Sequence, residues 1–268
     1  MKKLLSLILA LTMMLVAVLS FTSCGRKGKT LDEVKAAGKL VVATSPDFPP
    51  FENLEGEDVV GIEVEILEKI CEKLGVELVL KQMDFESVLP GVQAGKFDCG
   101  MSGITVTASR QKNMLFTDPY CLAAQSIVVT AGSPITCKAD LAGKKVSVQT
   151  GTTAEEFCME NGYTVNALAS NPDAQLELLK GTVDAWVIDD LTAAEMVKAY
   201  NEGKAEDEKL VILSEAMTTE PYAFAFAFGS EDLVAEINTI LKGLLEDGTI
   251  AGLFAKYEAP YTAPSSAK

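Results

Sequence analysis

Glu63-Val-Glu-Ile-Leu-Glu-Lys-Ile-Cys-Glu-Lys-Leu-Gly75-Val-Glu-Leu-Val-Leu80 reads in two halves. In the first, Val64, Leu67, Cys71 and Leu74 recur at helical spacing, so Glu63 to Leu74 forms an amphipathic helix that Gly75 ends. In the second, Val76 to Leu80 is a short apolar run that reads as a strand. Upstream, Leu40-Val-Val-Ala-Thr44 is a run of the buried-strand type. Strand, helix and strand in this order make a βα unit. Repetition of that unit implies an α/β fold with a mostly parallel sheet and helices on its faces.

The alternation continues. Asp84 is placed to cap a helix with Phe85, Val88, Leu89 and Val92 on one side, and Pro90 inside it is expected to bend it. A short strand around Cys99 to Met101 follows. A second set of units begins near Ser126, with strands at Lys145–Gln149, Thr164–Leu168 and Ala185–Ile188. Between and after them lie helices at Thr152–Glu160, Pro172–Leu179 and Leu191–Tyr200. Ala223 to Phe228 alternates as a strand does. Asp232 to Glu246 is a further amphipathic helix, a last one covers about Ile250 to Tyr257, and Ala259 to Lys268 reads as a loose tail. No internal repeat is present.

The chain has 268 residues and a net charge of −15. Residues 1–23 carry a basic start, Lys2-Lys3, then a nearly unbroken apolar run from Leu4 to Leu19, the order of a secretory signal peptide. Thr22-Ser23-Cys24 resembles the end of a bacterial lipobox, with Phe21 where a small aliphatic residue is usual, so Cys24 is the expected lipidation site and Gly25 to Thr30 a basic tether. The acidic body argues against nucleic acid as a partner, because phosphate binding needs clustered Lys and Arg. No histidine occurs, which excludes Ser-His-Asp and Cys-His catalysis and His-containing zinc sites. Nothing signals a metal or organic cofactor. Cys71 and Cys99 sit in apolar patterns and read as core residues, while a bond among Cys121, Cys137 and Cys158 is left open by their spacing.

Of the 23 basic residues, only Arg26 and Arg110 are arginines. A guanidinium grips a carboxylate with two parallel hydrogen bonds, which an ammonium cannot do. A surface role or a pairing with Asp118 is the ordinary alternative. Gly151-Thr152-Thr153 follows a strand and opens a helix, where free amides and hydroxyls suit an anion, although Thr152 is also a simple N-cap candidate. Asp189-Asp190 ends a strand at the carboxyl edge where α/β sheets present binding groups, and Asp190 reads as a cap of the next helix. Phe48-Pro49-Pro50-Phe51 follows the first strand, with Phe51 assigned to the core. An arginine fork, a helix N-terminus and a lone acid together suit a zwitterion. Arg110 with the Thr152 and Thr153 amides would hold an α-carboxylate, and Asp189 an α-ammonium.

Six segments in order resemble the extracytoplasmic solute-binding proteins that deliver polar amino acids to ABC importers. They are Phe48-Pro-Pro-Phe51-Glu52, Gly61-Ile62-Glu63-Val64-Glu65, Gly103-Ile-Thr105-Val-Thr107 with Arg110, Phe116-Thr-Asp-Pro-Tyr120, Gln149-Thr-Gly-Thr152-Thr153 and Asp184-Ala-Trp-Val-Ile-Asp189. The resemblance implies a type II periplasmic-binding-protein fold, two α/β lobes joined by two hinge crossings near Asp118–Leu122 and Glu220–Ala225. Lobe one would comprise residues 31–120 and 223–268, and lobe two residues 121–222. It implies that Arg110 grips the α-carboxylate, helped by Thr105 and the backbone near Thr152 and Thr153. Asp189, the Gly103 carbonyl and the Thr105 hydroxyl would receive the ammonium, Phe48 and Phe85 would stack on the ligand side chain, and Gln149 would read it. Asp47 and Glu52 are further candidates for a negative charge there. The implied partners are a free amino acid, a permease with its ATPase, and the membrane through the lipid; a monomer is expected. The competing classes are an exported dehydratase acting on arogenate- or prephenate-like substrates and a ligand-sensing module.

Overall fold

The computed structural model describes residues 28–264. The leader and Cys24 lie outside the described residues. Helix α1 (Leu31–Ala37) opens the body, started by a capping box in which Thr30 and Glu33 satisfy each other's free donors. The tether expected over Gly25 to Thr30 therefore ends inside the fold, and the Thr-x-x-Glu signature that starts this helix stands in the sequence. Gly28 and Lys29 are also docked: the Gly28 amide donates to the Phe228 carbonyl at 3.0 Å, and Lys29 pairs with Asp98 at 2.9 Å.

The chain then runs through β1 (Lys39–Thr44), the short antiparallel strands β2 (Asp47–Phe48), β3 (Glu52–Glu55) and β4 (Asp58–Val60), and helix α2 (Ile62–Leu74). After β5 (Glu77–Gln82) come α3 (Phe85–Gln93), β6 (Cys99–Gly100), α4 (Ala108–Gln111) and β7 (Leu115–Phe116). Pro90 stands inside α3, which continues past it to Gln93; Asp84 holds the N-cap position without a side-chain hydrogen bond. Gly75 ends α2 in the left-handed conformation, as expected for a glycine stop.

A second series follows: β8 (Cys121–Ala123), β9 (Gln125–Thr130), β10 (Lys145–Gln149), α5 (Thr153–Glu160), β11 (Thr164–Leu168), α6 (Asn171–Leu179), β12 (Ala185–Asp189) and α7 (Asp190–Asn201). The chain closes with β13 (Leu210–Ile212), β14 (Glu220–Tyr222), β15 (Ala225–Phe226), α8 (Glu231–Glu246) and α9 (Thr249–Lys256). The strand expected over Ala223–Phe228 is shorter than that, β15 over Ala225–Phe226 alone.

Two five-stranded sheets form, in orders β5-β1-β6-β15-β7 and β11-β10-β12-β9-β13. The βα units supply the parallel pairs, β1 with β5 and β6, and β10 with β11 and β12. The remaining pairs are antiparallel, because β9 and β15 arrive from crossings between the sheets and run against their neighbours β12 and β13, and β6 and β7. The chain leaves the first sheet after β7 and returns before β15. Along these two passes β8 and β14 pair antiparallel. This is the two-lobe α/β architecture of the type II periplasmic-binding-protein fold.

Leu40, Val42, Ile66, Leu67 and Ile70 pack with Phe224, Phe226, Ile237, Leu241 and Phe254 in the first lobe; Ile127, Val146, Val148 and Val187 fill the second. All five cysteines in the described residues are free thiols, four of them buried. Burial pushes the Cys158 thiol up to about 12. The C-terminal segment is not loose over its first part. The Leu122 amide donates to the Thr262 carbonyl, and the Tyr261 ring lies 4.8 Å from that of Phe254. An aromatic side chain that can bury against a core ring holds its segment down.

Candidate ligand-binding cleft

Residues at or just after the carboxyl ends of β1, β6, β10 and β12 come together between the two sheets, and such strand ends are where α/β sheets present ligand-binding groups. Phe48, Phe85, Ser102, Gly103, Thr105, Arg110, Gln149, Thr152, Thr153 and Asp189 line one cavity of ≈ 20 Å³ there. All nine residues singled out from the sequence are in that lining, and Ser102 is the addition. Such a volume admits about one water-sized centre. The lobes therefore meet tightly in this conformation.

Arg110 is carried by the short helix α4, whose N-cap Thr107 accepts the Arg110 amide. Its guanidinium donates to the Thr105 carbonyl at 2.9 Å and, across the gap, to the Gly151 carbonyl at 3.2 Å. The guanidinium carbon also lies 5.9 Å from the centre of the Phe85 ring. Asp118 is not its partner: the Asp118 amide is bound by Asn238, and the carboxylates that act on Arg110 are Glu220, Glu156 and Asp189. Burial lowers the Arg110 value, and those acids oppose the shift.

Thr152 is an N-cap. Its hydroxyl accepts the Glu155 amide at 3.2 Å and donates to the Gln149 carbonyl at 2.7 Å. Thr153 donates to Glu220 at 3.1 Å. Asp189, at the end of β12, takes the N-cap position expected for Asp190. Asp190 is instead the first helical residue, and its carboxylate accepts the Leu191 and Ala124 amides. Asp189 makes no capping bond. Its carboxyl is turned into the cavity wall, where it accepts a short hydrogen bond from the Tyr222 hydroxyl. Burial, reinforced by the charge of Glu220, raises Asp189 to about 7, while the Tyr222 bond opposes the shift.

Gly103 adopts φ 53°, and a Cβ there would strike the Phe48 ring. This position thus demands glycine twice over, for conformation and for space. Gln149 is buried and fully engaged: its amide nitrogen reaches Asp47 at 3.0 Å and the Ala169 carbonyl at 3.2 Å, and its oxygen accepts from Asn171 at 3.0 Å. Asp47 also takes the Asn171 amide at 2.8 Å, at the first turn of α6. Asp47 belongs to the first-sheet side and Gln149 and Asn171 to the second, so these bonds tie the two sides together. Burial raises the Asp47 carboxyl, and its four hydrogen bonds oppose that.

Tyr222 and Glu220 were expected only as part of the second hinge crossing, not as residues of the site. They sit in the return pass, and nothing local distinguishes Glu220-Pro-Tyr222 from an ordinary strand. Only the return of the chain brings them against Asp189, Thr153 and Arg110. Among the described residues, no cluster of His, Cys, Asp and Glu could hold a metal ion.

Residues 40–260 match the family model of bacterial extracellular solute-binding proteins, family 3. The L-cystine-binding protein TcyJ of Escherichia coli (strain K12) is 31% identical over 249 residues, covering 91% of either chain. A mutant of ArgBP from T. maritima, a protein also solved in an arginine-bound form, superposes with a TM-score of 0.79 at 38% identity, over 85% of this chain and 98% of the other. The ancestral amino acid-binding protein AncCDT-1, a precursor of cyclohexadienyl dehydratase, gives a TM-score of 0.77 at 32% identity, over 85% of this chain and 99% of the other. With Arg110 and Asp189 lining one cavity between two lobes and a family model spanning nearly the whole described chain, this protein belongs to the bacterial extracellular solute-binding proteins, family 3.

Proposed function

We propose that the protein captures a free amino acid between its two lobes and delivers it to an ABC permease and its ATPase. The observation that carries this reading is the presence in one cavity of a guanidinium from one side and a buried carboxyl from the other. Arg110 and the amides at Thr152 and Thr153 hold the α-carboxylate. Asp189, the Gly103 carbonyl and the Thr105 hydroxyl receive the α-ammonium, Phe48 and Phe85 flank the side chain, and Gln149 stands at its far end. Relatives whose names record cystine and arginine support a free amino acid as the ligand class.

Lobe one comprises residues 31–120 and 223–268, lobe two residues 121–222, and the β8–β14 pair is the hinge. An amino acid needs more room than ≈ 20 Å³, so it enters with the lobes apart, and the lobes close around it less far than in this conformation, on contacts that bridge both. The leader directs export, Cys24 carries the lipid, and a monomer offers both lobes to one transporter.

A thermal-shift screen of residues 25–268 against the twenty amino acids and several dipeptides tests the reading. A ligand that binds only the native state raises the melting temperature. A clear shift with one or a few free amino acids is the expected result; no shift from protein shown to be ligand-free overturns it. The dehydratase alternative draws on Asp189, whose value near 7 suits proton transfer, and on the AncCDT-1 likeness. Conversion of a bound arogenate- or prephenate-like acid would favour it.

A further inference from the structure

Two carboxyls lie beneath the Ser102–Gly103 wall of the cleft: Glu52 at the start of β3 and Glu63 in the first turn of α2. Both are 0% exposed. No ion pair of the described residues includes either one. The titratable groups facing them are acids, thiols and a phenol: Asp47 from β2, Cys99 from β6, and Tyr120 and Cys121 from the first crossing.

Glu63 uses both oxygens as acceptors. Oε1 takes the Tyr120 hydroxyl at 2.6 Å and Oε2 takes the Gly103 amide at 2.8 Å. Glu52 Oε1 takes the Ser102 hydroxyl at 2.8 Å, while Glu52 Oε2 meets no donor among the described residues. The two carboxyls hold neighbouring residues of one turn, and with no basic partner two charges buried there disfavour each other, so one carboxyl is the neutral member. Glu63 spends both oxygens as acceptors, which suits the charged form. The oxygen free of donors is Glu52 Oε2, and a proton there makes Glu52 the neutral member. Burial, followed by the charge of Glu63, pushes the Glu52 carboxyl well up, in agreement with that placement.

We propose that Glu52 and Glu63 are positioning residues of the amino-acid cleft: one proton on Glu52 lets both carboxyls hold the Ser102–Gly103 turn, and its loss loosens the turn and weakens amino-acid binding. The inference rests on the capture reading above. The physical reason is that two adjacent buried negative charges with no basic partner repel, and the repulsion acts on the groups they hold. Ser102 is held by Glu52 and Gly103 by Glu63, and the Phe48 ring rests on Gly103. Because the Glu52 value is raised, the favourable state is present at low pH and is lost as pH rises through that value.

Dissociation constants of the best amino acid, measured by calorimetry from pH 6 to 9 for the wild type, Glu52→Gln and Glu63→Gln, test the proposal. Glu52→Gln replaces the protonated carboxyl with a neutral amide and still accepts from Ser102. It is expected to stay within about threefold of the wild type at pH 7 and to lack the wild type's alkaline loss. Glu63→Gln offers one acceptor for two donors and is expected to bind about tenfold or more weakly. The same alkaline loss in the wild type and Glu52→Gln, or wild-type affinity in Glu63→Gln, overturns the proposal. Gly103 amide exchange by NMR, recorded without ligand, separates this from failure of the capture reading. If no amino acid binds the wild type, capture fails; the pair still stands if exchange accelerates with pH more steeply in the wild type than in Glu52→Gln, and falls if the two slopes agree.

Discussion

Amino-acid affinity should rise with pH through the titration of Asp189. In the free protein the Asp189 carboxyl titrates near 7, against an ordinary value of 3.8. An α-ammonium needs the ionised form. At pH 5, about two pH units below the midpoint, ionisation costs about 2.7 kcal/mol, so affinity should be about a hundredfold weaker there than with Asp189 fully ionised. The free protein behaves in the opposite sense. A carboxyl raised in the folded state favours the fold at low pH, and that contribution is lost as pH climbs from about 4 through about 7. The loss is at most about 4 kcal/mol, since a tenfold change in an acid dissociation constant corresponds to about 1.36 kcal/mol. The ligand-free melting temperature should therefore fall over that range while the ligand-induced rise in melting temperature grows. Asp189→Asn retains an oxygen to accept from Tyr222 but cannot ionise. It should melt at or above the wild type at pH 8, and it should bind poorly at every pH. Calorimetric titration and melting from pH 5 to 8.5 read both effects. A flat affinity profile in the wild type, or tight binding by Asp189→Asn, would refute the assignment of the ammonium to this carboxyl.

Arg110→Lys keeps the charge but loses the fork; affinity should drop by roughly 1.5–3 kcal/mol in calorimetry, with little change in melting temperature. Gly103→Ala forces a side chain into a φ of 53° and onto the Phe48 ring, so binding should be abolished and the melting temperature lowered. Asp47→Ala removes the bonds to Gln149 and to the Asn171 amide that tie the lobes, so stopped-flow dissociation should be about tenfold faster. An unchanged off-rate would show that closure does not depend on that tie.

Much of the fold was legible because its signals are local. Helix periodicity in Glu63–Leu74, the Gly75 stop and the Thr152 cap depend on residues a few positions apart, and the structure has all three. The expected tail failed for a nonlocal reason: Tyr261 and Thr262 find partners at the first crossing, more than a hundred residues upstream. The strands β2 to β4 are two to four residues long, too short for any periodicity to register. Gln149 illustrates a different limit. Its position suggested a side-chain reader, but whether its amide is free depends on Asp47, Ala169 and Asn171, which only the fold brings near.

The sequence by itself determined the α/β class, because repeating βα units carry their own spacing, and pointed to Arg110, Thr152, Thr153 and Asp189 by their chemistry at strand and helix ends; the other residues that line the cleft were named by the resemblance to a known family. What only the tertiary structure decided is the state of those residues. Tyr222 reaches Asp189 from 33 positions away, Thr153 meets Glu220 across 67, and Glu52 meets Ser102 across 50. Charge and protonation in a buried site follow from burial and from neighbours in space. A chain that crosses twice between its lobes chooses those neighbours without leaving a local mark.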